Sequence, residues 1–91
     1  MAVEVRVTST LERLVGAKSV IGEGATVGEL LAKLDAAYPG FIDQITGEDG
    51  QLHRFVNIYL NDEDIRYLDA LDTALQDGDV LSILPALAGG L

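Results

Sequence analysis

Cysteine is absent from this chain of 91 residues. Disulfides, thiolate metal sites and thiol nucleophiles are therefore excluded together. Histidine occurs once, at His53. A serine–histidine triad would have to draw on Ser9, Ser19 or Ser82, and none of these lies in a nucleophile motif. One imidazole without an identified partner lacks the logic of a catalytic triad, so we expect the chain not to be an enzyme and to hold no metal.

Basic residues are scarce as well. Six Lys and Arg stand against 15 Asp and Glu, which gives a net charge of −9. Nucleic-acid affinity depends largely on Lys and Arg displacing counterions, so we expect no nucleic-acid partner. The acidity has two interpretations: it keeps a small protein soluble, or it steers a basic partner surface toward the chain.

Long apolar runs are also missing, since no stretch approaches the roughly 20 residues of a membrane-spanning helix. Met1-Ala2 leads directly into an alternating segment, without the basic and apolar regions of a signal peptide. We therefore expect a cytosolic protein with no membrane partner. The length suits one domain, and 48% hydrophobic residues suffice for a core.

The first half of the chain predicts two strands and a helix. Alternation over residues 3–7 and the apolar segment 19–21 predict short strands, the second ended by glycines 22 and 24. Thr26 and Glu29 form a capping box ahead of a leucine stripe, which predicts one long helix from about Val27 to Tyr38. Pro39-Gly40 ends this helix.

The second half predicts further strands. Residues 55–60 favour a central strand, 65–67 a brief return strand, and 80–84 a final strand that Pro85 ends. Strand, strand, helix, strands is the order of a β-grasp domain, an α+β fold with a mixed sheet and one main helix across one face. We expect six of the inward-facing positions to be buried: Leu30, Leu34, Val56, Ile58, Leu81 and Ile83.

Two segments resemble ligand-binding motifs but do not match them. Counting from Asp62 as a calcium loop, the glycine position falls on Tyr67 and the bidentate glutamate position on Thr73. The glycines of segment 22–28 resemble a dinucleotide fingerprint, which needs a larger doubly wound sheet than this chain can hold. We interpret the first as a solvated turn and the second as a glycine-rich strand-to-helix connection.

Gly89-Gly90 is a different case. Two adjacent glycines contribute no packing and lose extra entropy when ordered, and a frayed terminus is the simplest explanation for them. The pair nevertheless follows the final predicted strand at a short, definite spacing. A tail without Cβ atoms is thin enough to enter a narrow channel and present a terminal carboxyl to another enzyme. We therefore expect a domain over residues 1–85 and a flexible tail over 86–91.

With these features the chain resembles the ThiS/MoaD sulfur-carrier proteins, prokaryotic relatives of ubiquitin. The resemblance covers essentially the whole chain and is most specific at residues 77–80, at the strand ending at Pro85 and at Gly89-Gly90. Within the family, the segment LHRFVNIYLNDEDIRY and the ending ILPALAGG are most similar to the actinobacterial carriers of cysteine biosynthesis, the CysO type.

The resemblance implies a ubiquitin-like carrier whose catalytic residues belong to its partners. A ubiquitin-activating-like adenylyltransferase and sulfurtransferase would use ATP to convert the carboxylate of Gly90 to a thiocarboxylate. A PLP-dependent cysteine synthase using O-phosphoserine would accept the sulfur, and a zinc metallopeptidase would release the amino acid formed on Gly90. Leu87, Ala88 and Gly89 would be the residues by which partners recognise the tail. No cofactor would be bound by the chain itself, which we expect to act as a monomer.

One departure from the family pattern is Leu91, which makes Gly90 an internal residue. Either a peptidase removes Leu91, or Leu91 is left by an expression tag. Three other functions stay open at this point. Sulfur could pass to molybdopterin, thiamin, a thiosugar or tRNA; Gly90 could be joined to lysines, as in a ubiquitin-like modifier; or the chain could be a β-grasp binding module with an idle tail.

Overall fold

The structure, a computed structural model of the chain, describes residues 2–46 and 56–85. Its strands are β1 (Ala2–Val7), β2 (Ser19–Glu23), β3 (Val56–Leu60), β4 (Glu63–Asp64) and β5 (Val80–Pro85). Its α-helices are α1 (Ser9–Val15) and α2 (Val27–Ala37). Short 3-10 turns cover Ile42–Gln44, Ile65–Tyr67 and Ala70–Asp72.

The strands form one mixed sheet in the order β2-β1-β5-β3-β4. β1 pairs antiparallel with β2 and parallel with β5, while β3 pairs antiparallel with both β5 and β4. The helix α2 packs its apolar stripe against one face of this sheet. The predicted β-grasp fold is therefore confirmed.

The start of α2 follows from its capping residues. The hydroxyl of Thr26 accepts a hydrogen bond from the amide of Glu29 (3.2 Å), and the carboxylate of Glu29 accepts one from the amide of Ala25 (3.2 Å). These bonds satisfy main-chain donors that a helix start leaves without partners. The helix ends at Ala37, one residue before the predicted end, and Gly40 follows with φ +96°.

The predicted core is confirmed at all six positions. Each of these side chains is buried between the sheet and α2, where they pack with Val3, Val5, Leu11 and Phe41. Fully burying one aliphatic side chain of this size is worth about 1.5–3 kcal/mol. Among the described residues, no buried side-chain nitrogen or oxygen lacks a hydrogen-bond partner.

Two predicted boundaries were wrong. β2 does not end at Gly22 but continues to Glu23, because Gly22 and Glu23 still pair with Val3 and Ala2 of β1. A Cβ on Gly22 would lie 3.1 Å from the side chain of Leu30. The return strand is Glu63–Asp64, and residues 65–67 form a 3-10 turn instead. Asn61 and Asp62 both adopt positive φ (51° and 72°), so the chain reverses within two residues and pairing resumes at once.

β3 lies inside the sheet, between β5 and β4, as expected of a central strand. Two further features differ from the sequence-based expectation. β5 includes Pro85 as its last residue, beyond the predicted end at Leu84. The helix α1 was not predicted, although its residue Leu11 is fully buried. No helix within residues 2–46 or 56–85 is both long and apolar enough to cross a membrane.

Candidate functional site

The residues predicted to carry the chemistry follow the last strand. Leu87, Ala88, Gly89 and Gly90 lie outside the described residues, as does His53. The structure does describe β5, from which the predicted tail continues, and the surface around the end of that strand.

β5, the strand from which the predicted tail continues, is held firmly in the sheet. Its residues 80–83 pair with β1 on one side, and its residues 81–85 pair with β3 on the other. Its inward side chains, Leu81 and Ile83, are fully buried. Strands buried in the middle of a sheet are among the last elements to open, so the segment after residue 85 starts from a fixed point.

The opposite face of β5 is open to solvent. Ser82 and Leu84 point to this face, since side chains alternate along a strand, and they lie beside Tyr59 and Asn57 of β3. Leu84 is 39% exposed although it is a large aliphatic residue. We call Asn57, Tyr59, Ser82 and Leu84 the tail-base surface. An open depression of about 390 Å³ is lined by three of these residues and by Asp62.

A cation is fixed beside the tail-base surface. The guanidinium of Arg66 donates to the side-chain oxygen of Asn57. Its Nη2 lies 3.0 Å from Oδ2 of Asp64, whose Oδ1 also accepts from the main-chain amide of Arg66 at 2.8 Å. The hydrogen bonds between Arg66 and Asp64 hold the pKa of the Asp64 carboxyl below its ordinary value and raise the pKa of Arg66. The side chain of Arg66 is 50% exposed and remains open to a partner.

Sequence reasoning did not single out this surface. Asn57 and Tyr59 alternate with three buried residues of β3, so their outward direction could have been read from the period of the strand. The contact of Arg66 with Asn57 could not, because it joins residues on different elements.

The acidic turns at the other end of β5 have structural roles. Asp79 accepts hydrogen bonds from the side chain of Asn61 (3.0 Å) and from the amide of Gln76 (2.8 Å). Asp77 accepts one from the amide of Ala2 (2.9 Å). Across residues 2–46 and 56–85, no group of three or more His, Cys, Asp or Glu side chains is placed to hold a metal ion.

The glycines of segment 22–28 also have a structural role. A Cβ on Gly24 would lie 2.6 Å from the main-chain nitrogen of Leu30, and one on Gly28 would lie 3.2 Å from the carbonyl oxygen of Leu71. Gly22 belongs to β2 and Gly28 to α2, so the segment is the strand-to-helix connection that the sequence analysis favoured.

Known proteins share both the sequence and the fold. The chain is 49% identical over 77 residues to the sulfur carrier protein CysO of Mycobacterium tuberculosis, covering 82% of this chain and 83% of that protein. It is 39% identical over 93 residues to small archaeal modifier protein 3 of Haloferax volcanii, covering 99% and 100% of the two chains.

A solved structure extends the similarity to the whole domain. In the crystal structure of the BexX/CysO complex of Amycolatopsis orientalis, the matching chain is 42% identical, with a TM-score of 0.87 and coverage of 98% of this chain and 100% of that one. The names of these relatives describe carriers and modifiers rather than catalysts. The family model of the ThiS family matches residues 5–90. With a match that runs from β1 through Gly89-Gly90, the chain belongs to the ThiS family.

Proposed function

We propose that this protein is a sulfur carrier and that it supplies sulfur for cysteine biosynthesis through a thiocarboxylate on Gly90. The observation that carries the proposal is its 49% identity to a protein named for sulfur carriage. The match of the ThiS family through residue 90 supports the choice of Gly90 as the acceptor.

The proposed chemistry takes place at one carboxyl group. The carboxylate of Gly90 attacks the α-phosphate of ATP, forming an acyl-adenylate and releasing pyrophosphate. A sulfide-level sulfur from the partner then attacks the acyl carbon, and AMP leaves with the electron pair of the broken C–O bond. One oxygen of the carboxylate is thereby replaced by sulfur. The protein contributes the carboxyl group, while ATP and the catalytic residues belong to the activating partner.

The length of the tail limits where that partner binds. Gly90 lies five residues after Pro85, and a fully extended chain over those five steps spans at most about 18 Å. A partner that holds Gly90 in its active site therefore also lies close to the tail-base surface. Leu84 and Tyr59 offer apolar contact there, and Arg66, although paired with Asp64, keeps a half-exposed guanidinium that can donate hydrogen bonds to a partner. Leu87, Ala88 and Gly89 are the remaining recognition residues in this proposal.

The thiocarboxylate would then serve as the sulfur nucleophile for a PLP-dependent cysteine synthase. Its product joins the new amino acid to Gly90, and a zinc metallopeptidase would release it and return the carboxylate. PLP and zinc belong to these partners. The chain visits each of them as a monomer in this proposal.

The first experiment isolates the activation step. Intact-mass spectrometry follows three proteins incubated with an activating enzyme of the ThiS pathway, ATP and a sulfur donor. Protein that ends at Gly90 should gain the mass of one sulfur-for-oxygen exchange. Protein that retains Leu91 should not react, because its Gly90 carbonyl is an amide and its free carboxylate lies one residue farther on, beside the bulky side chain of Leu91. Gly90→Ala should react poorly while its unfolding temperature stays unchanged, because its Cβ widens the chain in a confined channel.

The outcome of this experiment separates carriage from an idle tail. Equal reaction of all three proteins, or no mass change in the Gly90-terminated form, would refute the proposal. A second incubation with the synthase and O-phosphoserine tests the destination: the product should exceed the mass of the unactivated Gly90-terminated protein by one cysteine residue, whose sulfur is the one gained in the first step. Joining of Gly90 to lysines of other proteins would instead support a modifier, as the name of the Haloferax relative suggests.

A further inference from the structure

The two edges of the sheet differ in how they are protected. β4 forms one edge with only two residues, Glu63 and Asp64, both acidic. Proteins protect edges with short strands and charges because an open edge pairs with other chains. β2 forms the other edge with five residues, has neither proline nor lysine, and leaves Ile21 69% exposed. With a single charge, Glu23 at its end, β2 is therefore the less protected of the two edges.

The hydrogen bonds of β1 show which way its main-chain groups point. The amide of Val7 donates to the carbonyl of Lys18 (2.9 Å), at the start of β2. The amide of Glu4 donates to the carbonyl of Asp79 (2.9 Å), next to β5. Since these directions alternate along a strand, the odd-numbered residues of β1 bond to β2 and the even-numbered ones to β5.

The same alternation fixes the direction of the groups in β2. Glu4 lies opposite Ile21 in the antiparallel pair but bonds to β5, so Ile21 directs its own amide and carbonyl away from β1. Ser19 and Glu23, two residues to either side, do the same. No other residue in the described part of the chain bonds to these outward groups. The free edge thus presents donors and acceptors at the spacing of a strand.

A groove of about 310 Å³ lies beside this edge, between β2 and α2. Its helix side is formed by Lys33, Leu34, Ala37 and Tyr38, which combine apolar surface with one charge. A strand added to β2 would send every second side chain into this groove and the others to the face of Ile21. The groove and the edge therefore fit the same ligand, an extended peptide.

We propose that this edge and groove bind an extended segment of a partner protein, with alternating apolar side chains and a flanking Lys or Arg, as a sixth strand of the sheet. The charges beside the groove favour a basic residue in the partner segment. Lys33 lies 3.6 Å from Glu29, so the cation of the groove is already compensated. Glu23 has no ion pair among residues 2–46 and 56–85. A second copy of the chain fits poorly, because pairing would bring together two molecules of charge −9.

The experiment measures amide hydrogen exchange by NMR in the intact protein. The probe is a synthetic peptide of alternating Val and Thr with Lys at both ends. At a peptide concentration about ten times the dissociation constant, exchange at Ile21 and Glu23 should slow by about tenfold, as mass action requires. The amides of Val20 and Gly22, which already point to β1, should change much less.

Two matched variants test the geometry. Ala37→Arg places a positive charge in the groove and should abolish binding, whereas Ala36→Arg adds the same charge at an exposed helix position outside the groove and should bind as the native protein does. Ile21→Pro removes an outward N–H without removing a bond to β1, a change that edge strands tolerate, and should also abolish binding. If Ile21→Pro fails to fold, the comparison of Ala37→Arg with Ala36→Arg still tests the proposal.

Several results would overturn the proposal. These are no slowing of exchange with the Lys-flanked peptide, equal binding by Ala37→Arg and Ala36→Arg, or equal or tighter binding of a Glu-flanked version of the peptide. Slowing at Ile21 that rises with protein concentration in the absence of peptide would identify a second copy as the occupant instead. None of these measurements involves Gly90, so they are independent of sulfur carriage.

Discussion

Replacing Gly24 by alanine tests whether the glycine-rich segment 22–28, which connects β2 to α2, is close-packed against the helix. A Cβ at this position would lie 2.6 Å from the main-chain nitrogen of Leu30 and 2.8 Å from its Cα. Those atoms belong to the first turns of α2, where the amide of Leu30 donates to the carbonyl of Thr26 (3.0 Å). Relieving the contact therefore requires a shift of the helix start rather than a side-chain rotation.

The expected cost is at the upper end of the range for overpacking, about 3 kcal/mol. In a domain of this size each kcal/mol lowers the unfolding temperature by about 4–8 °C, so the loss is about 12–24 °C. Gly16→Ala is the matched control: Gly16 has φ +80° with no atom within 4 Å of a built Cβ, so only the left-handed conformation costs free energy, about 1 kcal/mol. Circular dichroism melts of both variants measure the difference. A Gly24→Ala protein as stable as Gly16→Ala would refute the reasoning.

Three further predictions concern stability. Leu34→Ala should lower the free energy of unfolding in urea by about 2–5 kcal/mol, because Leu34 is 4% exposed in the core; a loss below about 1 kcal/mol would contradict that packing. Asn61→Ala should cost about 1–2 kcal/mol, because Oδ1 of Asn61 accepts from the amide of Val80 (3.0 Å), whereas Asn61→Gly should lose less since glycine keeps the positive φ of 51°. The pKa of Asp64 is lowered by hydrogen bonds from Arg66, so its contribution is present above the ordinary value of 3.8 and is lost as the pH falls through the lowered value. Urea unfolding from pH 7 to pH 2 should therefore show that the difference in free energy of unfolding between the native protein and Asp64→Asn becomes smaller below about pH 4. A difference that grows there would contradict the lowered pKa of Asp64.

Local signals predicted the elements that local interactions determine. The capping box and leucine stripe of α2 involve residues three and four apart, so the sequence alone located the helix to within one residue at its end. The helix α1 has only seven residues, and Thr8 at its start makes no side-chain capping bond, so it offers little periodic or capping signal.

The features that the sequence did not predict depend on contacts between residues far apart in the chain. The position of β5 at the middle of the sheet depends on its parallel pairing with β1, more than 70 residues earlier in the chain, and no local pattern specifies that choice. The place of Arg66 beside the tail-base surface depends likewise on a contact with Asn57 on another element. The predicted roles of Leu87, Ala88, Gly89 and Gly90 stay predictions.

The two proposed contact surfaces are separate enough to be used together. Neighbouring strands lie about 4.8 Å apart, so a strand added beside β2 would lie three spacings, about 14 Å, from β5 in the sheet. The tail-base surface lies on β5 and β3, on the far side of β1 from that edge. A partner segment bound at β2 therefore leaves Leu84 and Arg66 exposed to an enzyme that acts on Gly90. A second, linked contact raises the effective concentration of a partner without changing the chemistry at the carboxyl. Blocking the β2 groove should therefore weaken the binding of a partner that carries such a segment. Once that partner is in excess, the proposed activation of Gly90 should be unchanged.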